Sequence, residues 1–127
     1  MSSLERILPF LRPIQDLLID PDITEVMVNA GGRRIFVERG GVVDCVPSRS
    51  VDEKLLTVAI KNIARTCGDE ISEEEPILDA RLEDGSRVAA MFPPCSVGGA
   101  TLTIRRFSRF KVGEVAATAA DAPAPTA

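Results

Sequence analysis

The chain has no histidine, tryptophan or tyrosine, and its only aromatic side chains are five phenylalanines. Without histidine there is no imidazole for a metal site and no imidazole general base near neutral pH. So few rings leave no platform on which successive bases could stack. A formal net charge of −4 adds to the case against a nucleic-acid partner, which calls for a basic surface. The three cysteines, Cys45, Cys67 and Cys95, are far apart and form no Cys-x-x-Cys pair. They read as reduced, small core residues of a cytoplasmic protein, not as a disulfide framework or a metal site. Cys95 falls in a proline-rich loop, a setting open to solvent. No apolar run approaches the roughly 20 residues of a membrane span, and nothing reads as a secretory signal. A Gly-x-x-x-x-Gly-Lys-Ser/Thr loop is also missing, so the sequence shows no cradle for phosphoryl transfer. Gly98-Gly99-Ala100-Thr101 lacks the lysine such a cradle needs.

What is present suffices for one globular domain with a core of its own. Leu4, Ile7, Leu8, Leu11, Ile14, Leu17 and Leu18 recur at helical spacing, but Pro9 and Pro13 interrupt them. The pattern predicts a first segment capped by Ser3, a turn, and a helix from about Pro13 to Ile19. Thr24–Asn29, Arg34–Arg39 and Val42–Val46 alternate and are separated by glycine pairs, which predicts a meander of three strands. The strongest helix signal runs from about Val51 to Cys67, capped by Ser50 or Asp52 and followed by Gly68. An acidic stretch, Asp69-Glu70 and Glu73-Glu74-Glu75, reads as a solvated connection. Domain 1–110 then gives way to an Ala/Pro-rich segment, 111–127, which has no large apolar residue past Val115 and reads as a disordered tail or interdomain linker.

The segment Ile77–Phe107 carries the most information. Leu78, Ala80 and Leu82 alternate with Asp79 and Arg81. Val88, Ala90 and Phe92 alternate with Arg87, Ala89 and Met91, and Leu102 and Ile104 alternate with Thr101, Thr103 and Arg105. Asp84-Gly85 is a hairpin signal between the first two runs. If the three strands are neighbours, one face packs on the core and the other displays Asp79, Arg81, Arg87, Thr103 and Arg105. Residues 77–111 hold six basic residues against three acidic ones, in a chain that is acidic overall. A local basic face of this kind favours a confined anion over a long polyanion. Guanidinium groups present rigid forks of donors that suit phosphate or carboxylate. The residues alone leave two readings open: an anion site, or a solvated face on which Asp79 and Glu83 pair with the arginines.

Several stretches resemble the N-terminal domain of the type II/type IV secretion ATPases, and most closely their pilus-assembly, tight-adherence branch. They are Leu17-Leu18-Ile19-Asp20-Pro21-Asp22-Ile23-Thr24-Glu25-Val26-Met27-Val28-Asn29, Ile35-Phe36-Val37-Glu38-Arg39-Gly40-Gly41, Asp79-Ala80-Arg81-Leu82, Asp84-Gly85-Ser86-Arg87-Val88, Pro93-Pro94 and Leu102-Thr103-Ile104-Arg105-Arg106-Phe107. The resemblance runs from about Leu11 to Phe110. It implies an α+β fold, a PAS-like antiparallel β-sheet with helices packed on one face. It also implies a non-catalytic part of a hexameric motor. Arg87 and Arg105, and less directly Arg81 and Arg106, would reach the nucleotide phosphates supplied to them by a RecA-like ATPase domain in cis or in trans. No cofactor would be bound by this chain alone; ATP and Mg would lie at the interface with the ATPase domain. The implied partners are a homo- or hetero-hexameric ring and an inner-membrane platform protein, and the implied place is the cytoplasm or the inner face of the inner membrane. The alternative is a stand-alone regulatory or assembly module that binds a homologous motor or platform protein.

Overall fold

The computed structural model describes residues 3–107, so the domain boundary expected at residue 110 and the segment 111–127 lie outside the described residues. The chain enters through α1 (Ser3–Ile7), a 3-10 segment (Leu8–Ile14) and α2 (Gln15–Ile19). The sequence predicts a turn before a helix starting near Pro13; the two prolines instead lie inside the 3-10 segment, which kinks at Leu11. Proline has no N–H for an α-helical bond and its ring crowds the preceding turn, so the tighter winding takes over. The apolar positions still converge: Ile7, Leu11, Ile14 and Leu18 are all buried.

Three strands follow, β1 (Ile23–Asn29), β2 (Arg34–Arg39) and β3 (Val42–Cys45), forming the expected meander. Helix α3 (Glu53–Thr66) then leads to β4 (Ile77–Arg81), β5 (Arg87–Met91) and β6 (Thr101–Arg105). The six strands make one antiparallel sheet in the order β3-β2-β1-β6-β5-β4. The second meander joins the first through β6, where Ile104 faces Val26 and Leu102 faces Val28. The helices pack on one face of the sheet, giving the α+β architecture the sequence implied.

Helix α3 starts two residues later than its apolar periodicity suggests. The Val51 N–H is donated to the Gly32 carbonyl at 2.7 Å, which holds that residue outside the helix. Asp52 is the cap, accepting the Leu55 N–H at 3.1 Å, and such a cap contributes roughly 0.5–2 kcal/mol. The helix buries Leu56, Ile60 and Ile63 completely against the sheet. Each such side chain contributes on the order of 1.5–3 kcal/mol of burial. Gly32 has φ +104°, and a β-carbon there would lie 2.0 Å from the Val51 carbonyl oxygen. Only glycine lets the segment leading into α3 approach the turn between β1 and β2 this closely.

The cysteines are not core residues. Cys45 and Cys95 are exposed and Cys67 is half-buried. Cys45 lies on the edge strand β3, whose four residues are all exposed, so a residue type that usually favours the interior has no interior to enter there. At Cys67, burial, with the Asp69 charge adding to it, pushes the thiol above its ordinary range.

Candidate functional site

Strand parity sorts the side chains as the sequence requires. Leu78, Val88, Ala90, Leu102 and Ile104 go to the core, and Asp79, Arg81, Arg87, Thr103 and Arg105 to the open face. The register adds what parity alone does not give. Arg81 lies opposite Arg87, Arg87 opposite Arg105, Arg105 opposite Glu25, and Glu25 opposite Glu38. Five neighbouring strands thus carry one row of charge, three positive positions followed by two negative ones. Strands lie about 4.8 Å apart, and like charges directly opposite one another destabilise a sheet.

Two ion pairs temper that repulsion. Arg105 Nη1 donates to Glu25 Oε1 at 3.0 Å, with the Glu25 side chain only 19% exposed. Arg87 Nη2 approaches Asp79 Oδ1 at 3.4 Å, and both partners are more than half exposed. Glu25, Asp79, Arg87 and Arg105 together line a concavity of about 410 Å³. Ala89, Met91, Thr101 and Thr103 line it too, so a largely apolar bed lies beside two balanced pairs of charge.

The four arginines singled out from the sequence do not all converge. Arg87 and Arg105 share the concavity. Arg81 is in register with them, yet its side chain lines a separate recess with Arg6, Cys67 and Glu83. Arg106 has the opposite parity, and its guanidinium donates to the backbone carbonyls of Asp20 and Ile23. That group ties the end of β6 to the turn before β1. Asp20 is held in the same turn by the Asp22 N–H at 2.9 Å and by Arg39 at 3.0 Å. The Asp22 N–H first, and Arg39 after it, hold its carboxyl below the ordinary range.

Glu25 is the site residue that sequence reasoning missed. Its parity was legible from the alternation of Val26 and Val28, but its partner Arg105 is 80 positions away. Only the pairing of β1 with β6 brings the two together. Among the described residues no group of three or more Cys, Asp or Glu side chains is placed to hold a metal ion. No helix among them is long and apolar enough to cross a membrane.

No family model matches the chain. Similar proteins are found by sequence and by structure. The type IV secretion system protein VirB11 of Brucella suis is 35% identical over 97 residues, which is 76% of this chain and 27% of VirB11. PtlH of Bordetella pertussis, also a type IV secretion system protein, is 33% identical over 100 residues, 78% of this chain and 29% of PtlH. An uncharacterized protein of Methanocaldococcus jannaschii, MJ0781, is 38% identical over 92 residues, 72% of this chain and 13% of that protein. The crystal structure of the Brucella suis VirB11 ATPase in complex with sulphate superposes with a TM-score of 0.74 at 30% identity, covering 95% of this chain and 37% of that one. The chain therefore spans about a third or less of the length of these relatives. It is homologous to the N-terminal domain of the type IV secretion ATPase family that VirB11 and PtlH represent.

Proposed function

We propose that the chain is a non-catalytic N-terminal domain of a secretion ATPase, which offers Arg87 and Arg105 to nucleotide phosphates held by a RecA-like ATPase domain and contributes contacts to a ring of such domains. The observation that carries this reading is the register of Arg87 and Arg105 on adjacent strands, facing one concavity of the open face. The solved VirB11 relative is an ATPase in complex with sulphate, an anion with the tetrahedral shape of a phosphate group. Two guanidinium forks about one strand spacing apart suit a chain of phosphates, since each can make paired charge-assisted hydrogen bonds. Both groups keep their charge at any physiological pH, so they can neutralise charge that develops during phosphoryl transfer. ATP itself supplies the bond that is cleaved. The ligands of Mg would come from the ATPase domain and the phosphates.

Arg81, in register with the pair but lining a separate recess, is left out of the phosphate contact, and Arg106 supports the strand that carries Arg105. Ring assembly and docking on a membrane-platform protein belong to the same reading, in the cytoplasm at the inner face of the membrane.

The test is ATP turnover by the native polypeptide that carries this domain. Arg87→Ala and Arg105→Ala should each lower kcat by about 10³-fold or more, the scale on which arginines act at phosphoryl transfer. Unchanged kcat in both variants would remove the role. The alternative, a stand-alone module that binds a homologous motor or platform protein, would show as co-purification with that partner, and a chain that stays monomeric and ignores the motor would count against it.

A further inference from the structure

Asp79 and Glu25 do more than fill a polar face. Each sits on one of the two arginines that share the concavity, so the four charges cancel. An arginine already paired has fewer free donors and a weaker field for an incoming phosphate. We propose that Glu25 and Asp79 are displaceable locks, which keep Arg105 and Arg87 ordered and their charges balanced until a polyphosphate chain takes the carboxylates' place. This inference rests on the reading of the open face as a phosphate site.

The two locks differ in strength. The Asp79–Arg87 contact is long, at 3.4 Å, and its partners are 63% and 53% exposed. Exposed pairs of that kind contribute about 0–1 kcal/mol, so Arg87 is released readily. Glu25 holds Arg105 at 3.0 Å, the shorter contact, and although Arg105 is 63% exposed the Glu25 carboxylate is only 19% exposed, so water screens that end of the pair less. Glu25 therefore sets most of the threshold. The arrangement opposes idle capture of stray anions by a domain that has no cradle of its own, while leaving both guanidinium groups near their working positions.

The experiment is calorimetric titration of inorganic triphosphate into the 127-residue chain and its variants. Glu25→Gln should bind triphosphate about 5–10-fold more tightly than wild type, the scale expected for removing one charge-assisted partner. Asp79→Asn should gain no more than about fivefold. Asp44→Asn lies three strands from Arg105, roughly 14 Å across the sheet, beyond the screening length at physiological salt, and should match wild type. In an Arg105→Ala background Glu25→Gln should bind no tighter than Arg105→Ala alone, whereas a diffuse change of net charge would give the same gain in both backgrounds. If Glu25→Gln binds no tighter than wild type, or if Asp44→Asn gains as much, the locks do not exist. The proposal stands apart from the motor role: triphosphate binding tests the locks on this chain, whereas turnover of Arg87 and Arg105 variants in the native polypeptide tests the role.

Discussion

Arg87 and Arg105 occupy directly opposed positions on β5 and β6, two positive side chains one strand spacing apart on an exposed face. A sheet built for stability alone would place opposite charges or β-branched residues there. Arg87→Thr should therefore leave the stability of the fold unchanged or raise it by up to about 0.5 kcal/mol. The measurement is the urea midpoint of the isolated chain. A loss above about 1 kcal/mol would show that the row is a structural device.

Arg106 gives the opposite expectation, although it adjoins Arg105 in sequence. Its guanidinium donates to the carbonyls of Asp20 and Ile23 and is only partly accessible. Arg106→Ala leaves those acceptors without their charged donor and should cost about 1.5–3 kcal/mol. Urea unfolding of Arg106→Ala beside Arg105→Ala separates the two, since only the former should shift the midpoint substantially.

Gly32, in the turn between β1 and β2, is held against Val51, just ahead of α3, by the 2.7 Å bond from the Val51 N–H to its carbonyl. A methyl group at that position meets the Val51 carbonyl at 2.0 Å in a left-handed conformation. Gly32→Ala should destabilise the chain by at least about 2 kcal/mol. Thermal unfolding reads this directly, and a change below about 0.5 kcal/mol would mean that the Gly32–Val51 junction is not rigid.

Acid should weaken the chain through two carboxylates. The hydrogen bond from Arg49 is the main reason the Asp16 carboxyl is lowered, and at Asp20 it is the Asp22 N–H. A carboxyl with a folded-state pKa below its unfolded value binds its proton more weakly when folded. Its contribution is thus complete above the unfolded pKa, about 3.9, and is lost as pH falls through the folded value. Stability should be flat above about pH 5 with respect to these groups and decline below about pH 4. Asp16→Asn/Asp20→Asn should show a shallower decline in chemical denaturation between these limits, and a slope equal to wild type would contradict the assignment.

Most of this fold was legible in the sequence. Period-two alternation gave the strands from Ile23 to Arg105, because the faces they present to core and solvent are chemically distinct. The face shared by Arg81, Arg87 and Arg105 followed from parity. Four features were not legible. The 3-10 winding across Pro9 and Pro13 depends on how the prolines are accommodated, not on apolar spacing. The exposure of Cys45 depends on β3 being the sheet edge, a fact of strand order. The Glu25–Arg105 pair depends on which strand β6 joins, and no local pattern encodes a contact across 80 residues. Parity also could not distinguish Arg87, which lines the concavity, from Arg81, which lines a separate recess.

The most direct test of the phosphate role is a structure of the native polypeptide with a non-hydrolysable ATP analogue and Mg. The account predicts guanidinium nitrogens of both Arg87 and Arg105 within about 3 Å of phosphate oxygens, with Glu25 and Asp79 displaced from them. Both arginines still paired to Glu25 and Asp79, farther than about 6 Å from any phosphate oxygen and so out of hydrogen-bonding reach, would contradict it.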